Sequence, residues 1–142
     1  MIINIDFDGT CVTHDFPKVG KKIGAEKVLK RLVRNRHQLI LFTMRSNKKE
    51  VYSLSPNIIA VSDNYLDQAV KWFKDNEIDL FGINTNPSQF SWTDSPKSFS
   101  DLIIDDTSLG CPLIYDENIS NNPFVDWVKV EKMLEVMGYL KH

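Results

Sequence analysis

Short, almost wholly apolar runs recur along this chain, and each is too brief for a buried helix. MIINI opens the sequence, LILF occupies residues 39–42, and LII occupies residues 102–104. Because these runs lack a polar alternation that would indicate a wet face, both faces of each strand are expected to be buried. That pattern is typical of a parallel sheet covered by helices.

Amphipathic stretches separate the apolar runs, so the chain alternates between predicted strands and predicted helices. This alternation favours an α/β fold: a three-layer α/β/α, Rossmann-like parallel sheet in a single domain, residues 1–142. The C-terminal helix carries an apolar set that we expect to pack in the core, with a partner subunit as the alternative: Val125, Val128, Met133, Val136 and Met137. The predicted elements are a strand at 1–6, a helix at 21–36, a strand at 37–43, a helix at 62–78, strands at 78–84 and 100–106, and a helix from about Phe124.

Composition narrows the class of protein. The chain has 142 residues, 42% hydrophobic and 25% charged, with a net charge of -2. No basic footprint suggests a nucleic-acid partner, although a phosphorylated substrate needs only local positive charge. Cys11 and Cys111 predict reduced thiols. The first apolar run is too short for a secretory signal and no run is long enough to span a membrane, so we expect a cytoplasmic protein.

Acidic side chains follow the first and fourth predicted strands, at the sheet edge where open α/β folds bind ligands. Carboxylates gathered there repel one another unless a cation is shared. Hard oxygen ligands in an accessible cleft favour Mg²⁺, and the nearby His14 and Cys11 form no ligand-spaced pair for a softer metal. The expected magnesium ligands are Asp6, Asp8, Asp105 and Asp106.

The second strand ends at Thr43, two residues before Arg45. The planar guanidinium of Arg45 suits a substrate phosphate or carboxylate, and a salt bridge at the rim of the site is an equal alternative.

The motif IDFDGT resembles the first motif of the haloacid dehalogenase-like (HAD) superfamily of phosphohydrolases. LILFT resembles the second motif of that superfamily, and LIIDD resembles the fourth. Lys97, in the loop before the LIIDD strand, can stand for the lysine of the third motif, with Lys71 and Lys74 as competitors. These motifs follow the family's order and span residues 1–106.

The resemblance implies a Mg²⁺-dependent phosphatase with Asp6 as the nucleophile that forms an aspartyl-phosphate. Asp8 would protonate the leaving oxygen, then deprotonate water, and supply its backbone carbonyl to the metal. Asp106 is the first choice for the second metal carboxylate, with Asp105 in support. Thr43 and Lys97 are assigned to catalysis as well as to substrate binding. Thr43 would offer its hydroxyl and its backbone N–H to a phosphoryl oxygen, and Lys97 would pair with Asp6 and the phosphate. The implied substrate-binding set is Gly9, Thr10, Thr43, Arg45 and Lys97.

The spacing between motifs leaves no room for a large cap domain, so the resemblance is to compact, capless members of the superfamily. Two short segments are expected to cover the site: a small flap at about 11–20 and a hairpin or extended excursion at 46–61. The polar, turn-rich segment 85–100 is predicted to be a loop. Within the flap, a solvated loop is favoured over substrate contact for His14. The expected substrate is a phosphorylated small molecule or an exposed phosphate group, and a homo-oligomer is left open.

Other activities remain open from the sequence. Among enzymes they are a polynucleotide 3′-phosphatase-like activity and a nucleotidase. Outside catalysis they are a non-catalytic module that binds a metal or phosphoryl ligand, and a receiver-like signalling domain. The DxDGT motif on the first strand disfavours a receiver, and retention of Asp8 disfavours a dead site, which has no use for an acid/base there.

Overall fold

A computed structural model describes residues 1–47 and 64–141 of the chain. In these residues the fold is α/β, with three helices, a four-stranded sheet and a separate two-stranded sheet. The hairpin suggested for 46–61 lies outside the described residues, except for its first two. The elements are β1 (Ile2–Ile5), α1 (Ala25–Arg34), β2 (Gln38–Leu41), α2 (Tyr65–Asp75), β3 (Gly82–Ile83), β4 (Leu102–Ile104), β5 (Leu113–Ile114), β6 (Phe124–Val125) and α3 (Trp127–Val136).

The parallel sheet predicted from the apolar runs is confirmed. Its strand order is β3-β2-β1-β4, and every pairing in it is parallel. Ile5 of β1 is in register with Leu41 of β2 on one side and Ile104 of β4 on the other. The chain order reverses between β1 and β4, the switch point at which open α/β sheets bind ligands. The residues that follow β1 and β4 therefore lie side by side.

Several element boundaries differ from the sequence expectation. α1 begins at Ala25 rather than residue 21, because Gly24 adopts a left-handed backbone with φ 91°. α3 begins at Trp127 rather than near Phe124, since β6 first pairs with β5 in an antiparallel ladder that was not predicted. Asp126 caps α3 by accepting a hydrogen bond from the Lys129 amide at 3.1 Å. The strands predicted at 78–84 and 100–106 are shorter than expected.

The apolar face assigned to the C-terminal helix is mostly the wrong one. Val128 and Val136 are 79% and 82% exposed, and Met133 and Met137 are about half exposed. The buried face lies at three- and four-residue spacing and packs in the common core: Trp127, Val130 and Leu134. Both faces of this helix carry apolar residues, so periodicity alone could not choose between them. None of the described helices is long and apolar enough to cross a membrane.

The loop predicted at 85–100 contains no helix or strand, as expected, and it is fixed to the sheet. Asn4, the one polar residue of β1, is fully buried and donates through Nδ2 to the Ser98 carbonyl at 3.2 Å. A buried amide without such a partner would be costly. The Asn in the first apolar run thus anchors the loop that leads into β4.

Candidate active site

The chain turns sharply where β1 ends, and this turn carries the first motif. The Asp6 amide donates to the Ile104 carbonyl at 3.0 Å, which continues the pairing of β1 with β4 by one residue. The Thr10 amide then donates back to the Phe7 carbonyl at 3.1 Å and closes the turn. The Asp6 side chain is therefore fixed at the carboxyl edge of the sheet.

The C-terminal region supports this turn from behind. The Val125 amide donates to the Gly9 carbonyl at 3.0 Å, and the indole Nε1 of Trp127 donates to the Thr10 carbonyl at 2.6 Å. Both donors belong to buried residues. The start of α3 thus holds the two residues that follow the acidic pair.

We expect Trp127→Phe to destabilise the protein by about 1–3 kcal/mol, because it leaves the buried Thr10 carbonyl without its donor. Chemical denaturation measures this change. Trp92→Phe is the control, since Trp92 is 64% exposed and should change the free energy of unfolding little. Equal effects of the two substitutions would show that the indole contact contributes nothing.

Three carboxylates meet at the edge between β1 and β4. One oxygen from each of Asp6, Asp105 and Asp106 lies within 4.8 Å of the others. The Thr10 hydroxyl links two of them: it lies 2.9 Å from Asp6 Oδ2 and 3.2 Å from Asp106 Oδ1. It also accepts from the Asp106 amide at 3.0 Å, so Thr10 orients the cluster from within.

The environment of Asp6 opposes its negative charge. Burial is the first cause, followed by the charge of Asp105 and a side-chain hydrogen bond with Asp106, and together they raise the pKa of Asp6 to about 8. In the part of the chain that is described, no lysine or arginine pairs with these three carboxylates. A hard divalent cation fits this donor set, because it would supply the missing positive charge to oxygen ligands.

The raised pKa of Asp6 predicts a pH dependence of stability in EDTA. The folded chain binds the proton of the Asp6 carboxyl more tightly than the unfolded chain does. The contribution of this proton to the free energy of unfolding is therefore complete below the unfolded pKa of 3.8 and is lost as the pH rises to about 8. At about 1.4 kcal/mol per pKa unit, the loss from pH 5 to pH 8 has an upper bound of about 4 kcal/mol. Chemical denaturation of the wild type and of Asp6→Asn between pH 5 and pH 8 measures this loss. If the free energies of unfolding of the two proteins changed in parallel with pH, the prediction would be wrong.

Asp8 lies apart from the cluster, and its side chain faces Arg45. Arg45 donates from Nε and from one terminal nitrogen to the two Asp8 carboxylate oxygens, each at 2.8 Å. The salt-bridge alternative for Arg45 is therefore what the structure contains, although the arginine is buried rather than at the rim. The Asp8 carboxylate is not part of the cluster formed by the carboxylates of Asp6, Asp105 and Asp106, so its side chain does not fit the expected role of magnesium ligand. The expected use of its backbone carbonyl stays a prediction.

Thr43 and Lys97 are placed differently from each other. The Thr43 amide, expected to face a phosphoryl oxygen, donates instead to Asn84 Oδ1 at 2.7 Å. The Thr43 hydroxyl accepts from the Arg45 amide at 3.1 Å, and among the described residues its own proton has no acceptor. Lys97 is exposed in the loop before β4, and in the described residues its ammonium pairs with none of the carboxylates. Its assigned role stays a prediction.

Two residues at the site were not assigned to it from the sequence. His14 of the flap places Nε2 2.8 Å from Asp106 Oδ2, and its side chain is 34% exposed. No periodic pattern identifies such a contact, because it depends on how the flap folds back. Asn84 directly follows β3 and contacts Thr43. The rule that assigned Asp6 to the carboxyl edge of the sheet applies equally to Asn84 and could have identified it.

Comparisons with known proteins identify a structural relative without a stated activity. No protein-family model matches the chain, and no curated protein matches it. A solved structure of a protein from Bacteroides thetaiotaomicron, described only as conserved, is similar with a TM-score of 0.69 and 27% sequence identity. The match covers 96% of this chain and 91% of that one, so the two share their fold over nearly their whole lengths.

Proposed function

We propose that this chain is a compact, capless phosphatase of the HAD-like superfamily, with the three-layer α/β/α architecture of that group. In this proposal it hydrolyses phosphomonoesters in a Mg²⁺-dependent reaction through an aspartyl-phosphate on Asp6. The observation that carries the proposal is the position of Asp6 at the β1–β4 switch point, in a cluster with the two acids that follow β4. The order of the sequence motifs supports it independently.

The proposed reaction has two steps, and Asp6 is the nucleophile in the first. An Asp6 carboxylate oxygen attacks phosphorus, the ester P–O bond breaks, and Asp8 gives a proton to the leaving oxygen. In the second step water attacks the phosphorus of the aspartyl-phosphate and Asp8 accepts a proton from that water. The bond between Asp6 and phosphorus breaks, inorganic phosphate leaves, and both aspartates return to their starting states.

The remaining residues of the site supply charge and orientation. Asp6, Asp105 and Asp106 would hold Mg²⁺, and the cation would offset the negative charge of the phosphoryl oxygens. The hydroxyl proton of Thr43, which has no acceptor within residues 1–47 and 64–141, is available to one of those oxygens. Thr10 fixes two of the three carboxylates through the contacts described above.

The substrate proposed for this site is a small phosphorylated molecule or an exposed phosphate group, because residues 1–47 and 64–141 contain no large cap. A nucleic-acid substrate is disfavoured by the net charge of -2. Two free cysteines, one of them buried beside the first motif, fit a reducing compartment, and we include a cytoplasmic location in the proposal.

A substrate panel tests this function. It contains an aryl phosphate, nucleotides, sugar phosphates, phosphoamino acids and 3′-phosphorylated oligonucleotides. We expect release of inorganic phosphate with Mg²⁺, loss of that release in EDTA, and recovery when Mg²⁺ is restored. Tight binding of a phosphorylated compound without any hydrolysis across the panel would contradict the proposal and favour a non-catalytic binding module.

A further inference from the structure

Arg45 is the most completely bonded charged residue that the structure describes at this site. Its side chain is 1% exposed, and it holds both carboxylate oxygens of Asp8. The other three N–H groups donate to backbone carbonyls: Pro17 at 3.3 Å, Lys18 at 2.8 Å and Tyr65 at 3.3 Å. All five donors of the guanidinium are therefore used within the chain.

These partners come from three separate segments. Asp8 belongs to the turn after β1, Pro17 and Lys18 belong to the flap, and Tyr65 begins α2. The guanidinium carbon lies 5.1 Å from the ring centroids of both Phe7 and Phe16. Stacking of this kind favours arginine, which is planar and weakly hydrated, over lysine.

A residue with no free donor and almost no exposure is poorly suited to grip a substrate. The expectation that Arg45 binds the substrate phosphate therefore does not fit its contacts. Its two-point grip is suited instead to fixing another side chain, because two parallel hydrogen bonds define both the position and the plane of a carboxylate.

We propose that Arg45 is a positioning residue that fixes the Asp8 carboxylate and joins it to the flap and to α2. This inference rests on the proposed function, in which Asp8 exchanges protons with the leaving oxygen and with water. Each carboxylate oxygen has two lone pairs, and Arg45 uses one on each. Among the described residues only Arg45 bonds to the Asp8 carboxylate, and the Asp8 side chain is 18% exposed. Each oxygen therefore keeps a lone pair while the orientation of the carboxylate is fixed, so proton transfer depends on a residue that never touches substrate.

The dependence on the leaving group tests this inference. An alkyl phosphate needs a proton on its leaving oxygen far more than p-nitrophenyl phosphate does. For Arg45→Met with Mg²⁺, we expect kcat for 2-glycerol phosphate to fall about 100-fold, with a much smaller fall for p-nitrophenyl phosphate. In an Asp8→Asn background, Arg45→Met should leave the ratio of the two rates unchanged. Equal loss on both substrates, or a further change of the ratio in that background, would overturn the inference.

Two further measurements keep the test decisive. If Arg45→Met does not fold, Arg45→Lys replaces it in the test. Lysine retains the charge but lacks the two-point hydrogen bonding of the guanidinium, so the ratio of the two kcat values should change in the same direction. The rate of trypsin cleavage after Lys18, mapped by mass spectrometry, can be measured whether or not the protein hydrolyses phosphate. This cleavage should be faster in Arg45→Met and in Arg45→Lys than in the wild type, because the Lys18 carbonyl loses its donor. If wild type hydrolyses neither substrate, the proposed function fails, and unchanged cleavage would separately overturn the link to the flap.

Discussion

Asp6→Asn should abolish the proposed phosphate release: we expect turnover of an aryl phosphate with Mg²⁺ to fall by about 10⁴-fold or more. The amide cannot attack phosphorus and cannot give the cation a charged ligand. The fold should survive, because the backbone N–H of residue 6 still donates its hydrogen bond to the Ile104 carbonyl after the substitution. Steady-state kinetics and circular dichroism measure the two outcomes together.

The same variant should be more stable than the wild type in EDTA at about pH 8, since it removes the charge that burial and neighbouring acids oppose. Loss of activity together with a gain in stability cannot come from misfolding. Asp94→Asn is the matched control, because Asp94 is an exposed aspartate in the 85–100 loop and should leave both properties unchanged. Retained turnover in Asp6→Asn would contradict its role as the nucleophile.

Gly9→Ala should disable the site with only a modest loss of stability. Gly9 has φ +81°, and a Cβ placed there would lie 2.1 Å from His14 Nε2 and 2.5 Å from Asp106 Oδ2. Both side chains must move, so the carboxylate cluster loses its arrangement. We expect Mn²⁺ affinity, followed by electron paramagnetic resonance, to fall by about 10–100-fold.

Gly110→Ala separates this collision from backbone strain. Gly110 has φ +88°, but nothing lies within 4 Å of the Cβ that it would gain. Each substitution should cost about 1–2 kcal/mol for the left-handed conformation. Only Gly9→Ala should also weaken Mn²⁺ binding. Equal Mn²⁺ affinity in the two variants would mean that the space beside Gly9 does not matter for the cluster.

The parallel sheet could be predicted from the sequence because its two central strands, β1 and β2, are largely buried on both faces. The same expectation fails for the edge strand β4, where Ile103 is 45% exposed. Runs such as LILF carry this information locally, and the carboxyl-edge rule then assigned Asp6 and Asp105 to the same place before any contact was known. The start of α1 could not be predicted from the sequence, because a left-handed glycine such as Gly24 delays the start of the helical backbone without interrupting the apolar periodicity.

The contacts of the site itself were harder to predict. Asp8 and Arg45 are 37 residues apart in sequence, and His14 and Asp106 are 92 apart. Which side chains meet over such distances depends on how the flap folds and on which donors remain unpaired after packing. The residue type alone limits the expected partner of the Arg45 guanidinium to a carboxylate or a phosphate. Only the full set of five hydrogen bonds separates positioning of Asp8 from substrate binding.

In the proposed mechanism, Asp6 carries the phosphoryl group during turnover. The most direct measurement is to mix the Mg²⁺-loaded protein with p-nitrophenyl phosphate, quench in acid within the first turnover, and map the phosphorylated peptide by mass spectrometry. We predict a hydroxylamine-sensitive phosphoryl group on Asp6, absent from Asp6→Asn. A phosphoryl group on another residue, or continued turnover by Asp6→Asn, would contradict the proposed role of Asp6 as the nucleophile.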